Sequence, residues 1–152
     1  MQSFKNVFAA IILASITMGA QAAEPQTMKE VATELKYRTF AGSVADSVST
    51  HIAISSGLAE EANPLVDTSA GGLIVLAGLK IGVAEAIDRS SMSDLQKAEF
   101  QNTASSIWLG VSANNLMLAA ASTGPAAIVV GIVTGYALWR NGADKIAAAK
   151  GR

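Results

Sequence analysis

Two ionisable residues stand out in a chain that is otherwise poor in charge. Asp46 lies in a stretch from Thr39 to Gly57 with no other acid or base apart from His51, and Lys80 closes an uncharged run from Thr68 to Leu79. A carboxylate and an ammonium set in apolar helices serve one of two ends. They neutralise each other as an ion pair that fixes helix register, or they form a polar element of an ion or proton path. Their midpoint is position 63, inside the link Glu61-Ala62-Asn63-Pro64. In an antiparallel helical hairpin turning there, the two side chains share one level. Thr50 and Ser49 follow Asp46 at i+4 and i+3, on the same face, and are expected to donate to its carboxylate. Asn114 and Asn115 sit midway along a second uncharged stretch, where hydrogen bonds between helices are their ordinary use.

Other chemistry is poorly supplied. The chain has no Cys, which removes disulfides, thiol catalysis and Cys-based metal sites. Its single His, His51, lies about 140° around the helix from Asp46 and reads as a polar residue on a bundle face. Glu60 and Glu61 read as a solvated loop surface rather than a cation site. No Gly-rich phosphate loop, nucleophile elbow or His-Glu-x-x-His pattern occurs. No catalytic residue, metal ligand or cofactor is expected, and the chain does not read as an enzyme. A net charge of −1 argues against a nucleic-acid partner.

Positioning these residues requires helices. At 152 residues the chain has room for one domain. It is 51% hydrophobic and only 15% charged, against about 25% charged in an ordinary soluble domain. Its apolar runs are long and rich in Ala and Leu, without the alternation of strands. The expected fold is all-α, a four-helix membrane bundle of helical hairpins after an N-terminal signal segment. Thr27-Met28-Lys29-Glu30 and Ser93-Asp94-Leu95-Gln96 are capping boxes that open the first and third helices. Asn63-Pro64 suits the N-cap and first turn of the second, and Gly124-Pro125 parts the third from the fourth. Asn141-Gly142 reads as the stop of the fourth. The spacing predicts helices over about 28–58, 64–88, 94–122 and 125–141, within one domain over 23–152.

Membrane insertion is argued most strongly by Phe100 to Trp139, a stretch without a charge that ends in the interfacial pair Trp139-Arg140. Gly78-x-x-x-Gly82 and Gly131-x-x-x-Gly135 are spacings that let helices approach closely in lipid, and they offer faces for a homo-oligomer. Residues 1–22 combine Lys5, an apolar core and Ala20-Gln21-Ala22, the pattern of a cleavable export signal or, if uncut, a retained anchor. The acidic link (Glu60, Glu61, Asp67) and the basic C-terminal tail favour a cytoplasmic start of the first helix and C-terminus. A cleaved signal places that start outside instead.

Asp46, Thr50, Gly57, Glu61-Ala62-Asn63-Pro64 and Lys80 together resemble a family of small bacterial and phage multi-pass membrane proteins of uncharacterised function. Its members carry an Asp followed by Thr in one span, a Gly-x-x-Glu-x-Asn-Pro turn and a Lys in the next span. The likeness covers roughly residues 40 to 85, and the turn departs from the pattern, because Gly57 and Glu61 stand one position further apart. The resemblance implies insertion of the hairpin in a bilayer and brings no activity. The expected protein is a small helical protein of the bacterial inner membrane with a non-enzymatic role: an accessory, assembly or phage-type host-modifying component with the lipid bilayer as its partner. The alternative is a soluble periplasmic helical bundle that binds a protein or lipid.

Overall fold

The structure, a computed structural model, describes residues 26–57, 60, 67–120 and 124–151. Residues 1–22, with the signal pattern, and the turn residues Glu61, Asn63 and Pro64 lie outside the described residues. Four helices follow one another: α1 (Met28–Ser55), α2 (Ala70–Arg89), α3 (Asp94–Ala119) and α4 (Gly124–Lys150). No strand occurs among the described residues.

Local chemistry sets most helix ends. Thr27 accepts from the Glu30 amide while Glu30 reaches back to the Thr27 amide at 2.7 Å, and Ser93 and Gln96 repeat the arrangement. Gly57, just past the C-cap Ser56, takes φ of +69°, the left-handed turn that ends α1. Two expected boundaries are corrected. The second helix starts at Ala70, not at residue 64, because Ser69 is its N-cap and accepts from the Gly72 amide at 3.0 Å. Asp67 fixes that cap by accepting from the Ser69 amide at 2.9 Å. The fourth helix does not stop at Asn141-Gly142 and runs on to Lys150. Gly142 serves a close approach instead, since a Cβ there would strike the Asn102 side chain and Arg38. The first and third helices end three residues earlier than expected, at Ser55 and Ala119.

α1 and α3 form the central pair, with α4 packed on α3 and α2 on α1. Alternating direction brings the start of α1 and α3 and the end of α2 and α4 to one end of the bundle. That end holds the hydrophobic cluster Val31, Ala32, Leu35, Ala98 and Ile146. Lys29, Glu30, Glu99 and Lys150 lie outside it, as in a soluble protein.

Beyond Thr39 the pattern inverts. The buried polar residues are Ser43, Asp46, Ser47 and Ser49 on α1 and Ser105, Ser106 and Ser112 on α3, beside small residues such as Ala53 and Ala127 and, among the described residues, a single large apolar one, Leu73. Many of the large apolar side chains face outward, among them Ile74 at 72% exposure, Leu79 at 64% and Ile132 at 66%. Among the described residues α2 is the one helix long and apolar enough by itself to cross a membrane, and only 17% of that stretch is buried in the bundle.

Candidate functional site

Lys80 of α2 reaches across to α1 and its Nζ donates to Asp46 Oδ2. The two helices end at Ser55 and begin at Ala70, so their ends are nearly symmetric about position 63, which places the two side chains at one level. Asp46 is 7% exposed. The indole of Trp108, on α3, closes the site from the third side with its ring centroid 5.5 Å from Lys80 Nζ. An ammonium against that ring gains a cation–π contact while its carboxylate partner neutralises it. Pairing of this kind is what makes a buried charge tolerable, because either one alone is costly out of water.

The hydroxyls expected to serve the carboxylate do other work. Ser49 Oγ donates to the Asp46 backbone carbonyl at 3.0 Å, closing on its own helix. Thr50 Oγ1 accepts from Asn115 Nδ2 at 2.9 Å, a bond from α3 to α1. The expectation of donation to Asp46 is therefore corrected: α3 offers Thr50 a donor from another helix. Asn114 Nδ2 donates to Asn115 Oδ1 at 3.3 Å. Asp46 Oδ1, Ser47 Oγ and Asn114 Oδ1 are buried without a partner among the described residues.

The small-residue spacings divide as well. Gly131 and Gly135 face Gly110 of α3 inside the chain: a Cβ at Gly110 would stand 2.8 Å from the Gly131 carbonyl oxygen. That face is filled by the chain itself and is not free for a second copy. Gly78 and Gly82 meet nothing and lie exposed on α2. The close α3–α4 approach leaves a shallow apolar groove of about 510 Å³ on the exterior, walled by Ile107, Val111, Ile128 and Ile132. His51 and Glu60 are exposed. Gly57 ends α1, and a Cβ there would meet nothing within 4 Å.

A second polar layer lies toward the charged end and was not foreseen from sequence. Arg38 Nε donates to Ser105 Oγ at 2.9 Å and its Nη2 to Asn102 Oδ1, while Asn102 Nδ2 donates to the Trp139 carbonyl at 3.0 Å. Burial lowers the pKa of the Arg38 guanidinium, with Glu34 acting in the opposite sense; it stays charged. Burial pushes the Glu34 carboxyl up, but the Lys145 ammonium and the Gln26 amide outweigh it and hold the group below the ordinary glutamate range. Hydrogen bonding to Asp88, 2.7 Å away, raises the Lys36 ammonium against the effect of burial. The available signal was position: Arg38 is the last charge before the uncharged stretch, next to the buried Thr39 and one turn from the buried Gly42.

Among the described residues no group of His, Cys, Asp and Glu could hold a metal ion. No protein-family model matches the chain, and neither the curated proteins nor the solved structures contain a significant match to it.

Proposed function

We propose that the chain is a small multi-pass helical protein of the bacterial inner membrane with a non-enzymatic, accessory or assembly role. One observation carries the reading: between Thr39 and Trp139 the bundle buries serine, threonine and amide side chains beside alanines and Leu73, and turns many of its isoleucine, valine and leucine side chains outward. In water that arrangement exposes the apolar surface that folding normally removes. In lipid it is the favourable one, because polar groups find partners inside and apolar ones face hydrocarbon. The depth is consistent. Gly124 to Trp139 spans about 23 Å and Phe100 to Ala120 about 30 Å at roughly 1.5 Å per residue, against about 30 Å for a bilayer core. Asp46 and Lys80 then lie close to its middle.

The described Lys and Arg residues other than Lys80 gather at the end with the apolar cluster, and the opposite end carries Glu60 and Asp67. The positive-inside bias puts the clustered end in the cytoplasm. The open Gly78–Gly82 face of α2 is the remaining candidate for contact with a second copy. The likeness of residues 40 to 85 to uncharacterised multi-pass proteins agrees with this reading. A second reading, a periplasmic bundle whose outer faces are covered by a protein or lipid, is favoured by α2 being, among the described residues, the one helix long and apolar enough to cross a membrane. Carbonate extraction of cell membranes separates the two. Retention in the pellet supports the membrane protein; release into the supernatant supports the periplasmic one.

A further inference from the structure

The α1–α3 seam holds polar groups at successive levels from one end of the uncharged region to the other. Nearest the charged end, Gln101 Nε2 donates to the Ala84 carbonyl at 2.9 Å and Thr39 Oγ1 to the Gln101 carbonyl at 3.0 Å. Ser43 and Ser105 follow, then Asp46 with Lys80, then Thr50 with Asn115. Gln101 to Asn115 covers about 21 Å at roughly 1.5 Å per residue. Three side-chain atoms along it are buried with no partner among the described residues, Gln101 Oε1, Asp46 Oδ1 and Ser47 Oγ; a fourth, Asn114 Oδ1, belongs to a residue on the α4 side of α3. Gln101 is 1% exposed and Ser47 6%, so bulk water does not reach them. Buried polar atoms are almost always satisfied, and where protein does not do so internal water does.

We propose that this seam is a hydrated proton path, with Asp46 as the group that takes up and releases the proton. The inference rests on the membrane reading. The charges in the seam select the proton over other ions. Arg38 and Lys80 oppose a metal cation, and Asp46 opposes an anion. A proton needs no open pore, only a ladder of hydrogen-bonding groups and one group that changes protonation. A hydronium on one side of Asp46 gives its proton to Oδ1 and becomes water. The carboxylic O–H then breaks toward a water on the other side, restoring the carboxylate. Lys80 keeps its protons throughout, and its bond to Oδ2 holds the carboxylate in place.

The purified full chain is reconstituted into phospholipid vesicles loaded with a pH-sensitive dye, and a potassium diffusion potential set with valinomycin drives proton entry. Vesicle flotation after an alkaline wash is scored in parallel. Wild type is expected to float and to acidify the lumen at least about tenfold faster than protein-free vesicles, with Asp46→Asn returning to that background. Ser47→Val, which leaves the ion pair in place, is expected to slow entry about threefold or more by removing a buried polar group from the ladder. It keeps the test decisive if Asp46→Asn fails to fold. Floating protein with flux no higher than that of empty vesicles, or with flux that neither variant lowers, overturns the proton path and leaves the membrane reading standing. Protein that does not float overturns both.

Discussion

The two halves of this bundle follow opposite rules with the same helices. At the charged end Val31, Leu35 and Ile146 are inside, while Lys29, Glu30 and Lys150 are outside. Past Thr39 the interior holds serines, Asp46, alanines and Leu73, with Asn115 half-buried, and the exterior holds Ile74, Leu79, Ile132 and Val133. A helix has no reason to exchange its inner and outer composition midway unless the solvent changes along its length. On the membrane reading proposed above, the charged end obeys the hydrophobic effect in water, and the remainder obeys the cost of polar groups in hydrocarbon. What holds each half together differs accordingly: apolar contact in one, close glycine packing and polar pairs in the other.

The largest expected effect lies at the Asp46–Lys80 pair. Asp46→Ala and Lys80→Ala should each destabilise the bundle by about 3 to 5 kcal/mol, because the remaining charge is stranded inside. The double variant should cost less than the two singles combined. An unfolding titration in detergent micelles of all four forms checks this, and additivity within about 0.5 kcal/mol would mean the two charges do not act together.

The next contrast compares one kind of truncation in the two halves. Leu35→Ala, at a position with no exposure, should cost about 2 to 5 kcal/mol. Ile132→Ala, on the outer face of the other half, should stay within about 0.5 kcal/mol in the same titration. Equal losses would erase the distinction between the halves.

Glycine substitutions sharpen the account of the inverted half. At Gly131 a Cβ would meet the Gly110 carbonyl oxygen and the Asn114 Cβ at 2.9 Å each, so Gly131→Ala should cost about 1 to 3 kcal/mol. Gly78→Ala meets nothing and should be neutral, or stabilising by up to about 1 kcal/mol through helix propensity. A loss of self-association in that variant, read by crosslinking, would locate a contact between copies there.

The smallest effect is the acid response of the charged end. Because pairing with Lys145 depresses the Glu34 pKa in the folded state, its contribution is present above the unfolded value and is lost as pH falls through the folded one. The Glu34 side chain is 38% exposed, so less than about 1 kcal/mol is at stake. Glu34→Gln should remove that part of the acid sensitivity in thermal melts between neutral and acidic pH.

Much of this was legible in the sequence because it is local. The two capping boxes need only four consecutive residues each, and the level shared by Asp46 and Lys80 follows from counting outward from the link. The misplaced features depend on neighbours distant in the chain. Asn63-Pro64 and Ser69 are both chemically sound helix starts, and Asp67 bonded to the Ser69 amide marks the one that α2 uses. Gly142 has the composition of a stop, but its use depends on Asn102 and Arg38 lying against it. Thr50 is placed correctly to reach the Asp46 carboxylate from its own helix, yet α3 supplies Asn115 instead. Local spacing gives the face a residue occupies and leaves its partner to the packing of other helices.

The absence of native cysteine makes the central contrast directly measurable. Single cysteines placed at Glu99 and Lys150, and at Ile74 and Val133, can be labelled in isolated membranes with a membrane-impermeant maleimide. The two-solvent account predicts rapid labelling at Glu99 and Lys150 wherever their face of the membrane is open to reagent. It predicts protection at Ile74 and Val133, which lie about 60% or more exposed on the bundle surface. Labelling of Ile74→Cys and Val133→Cys as fast as Glu99→Cys would show that water, not lipid, covers the apolar exterior.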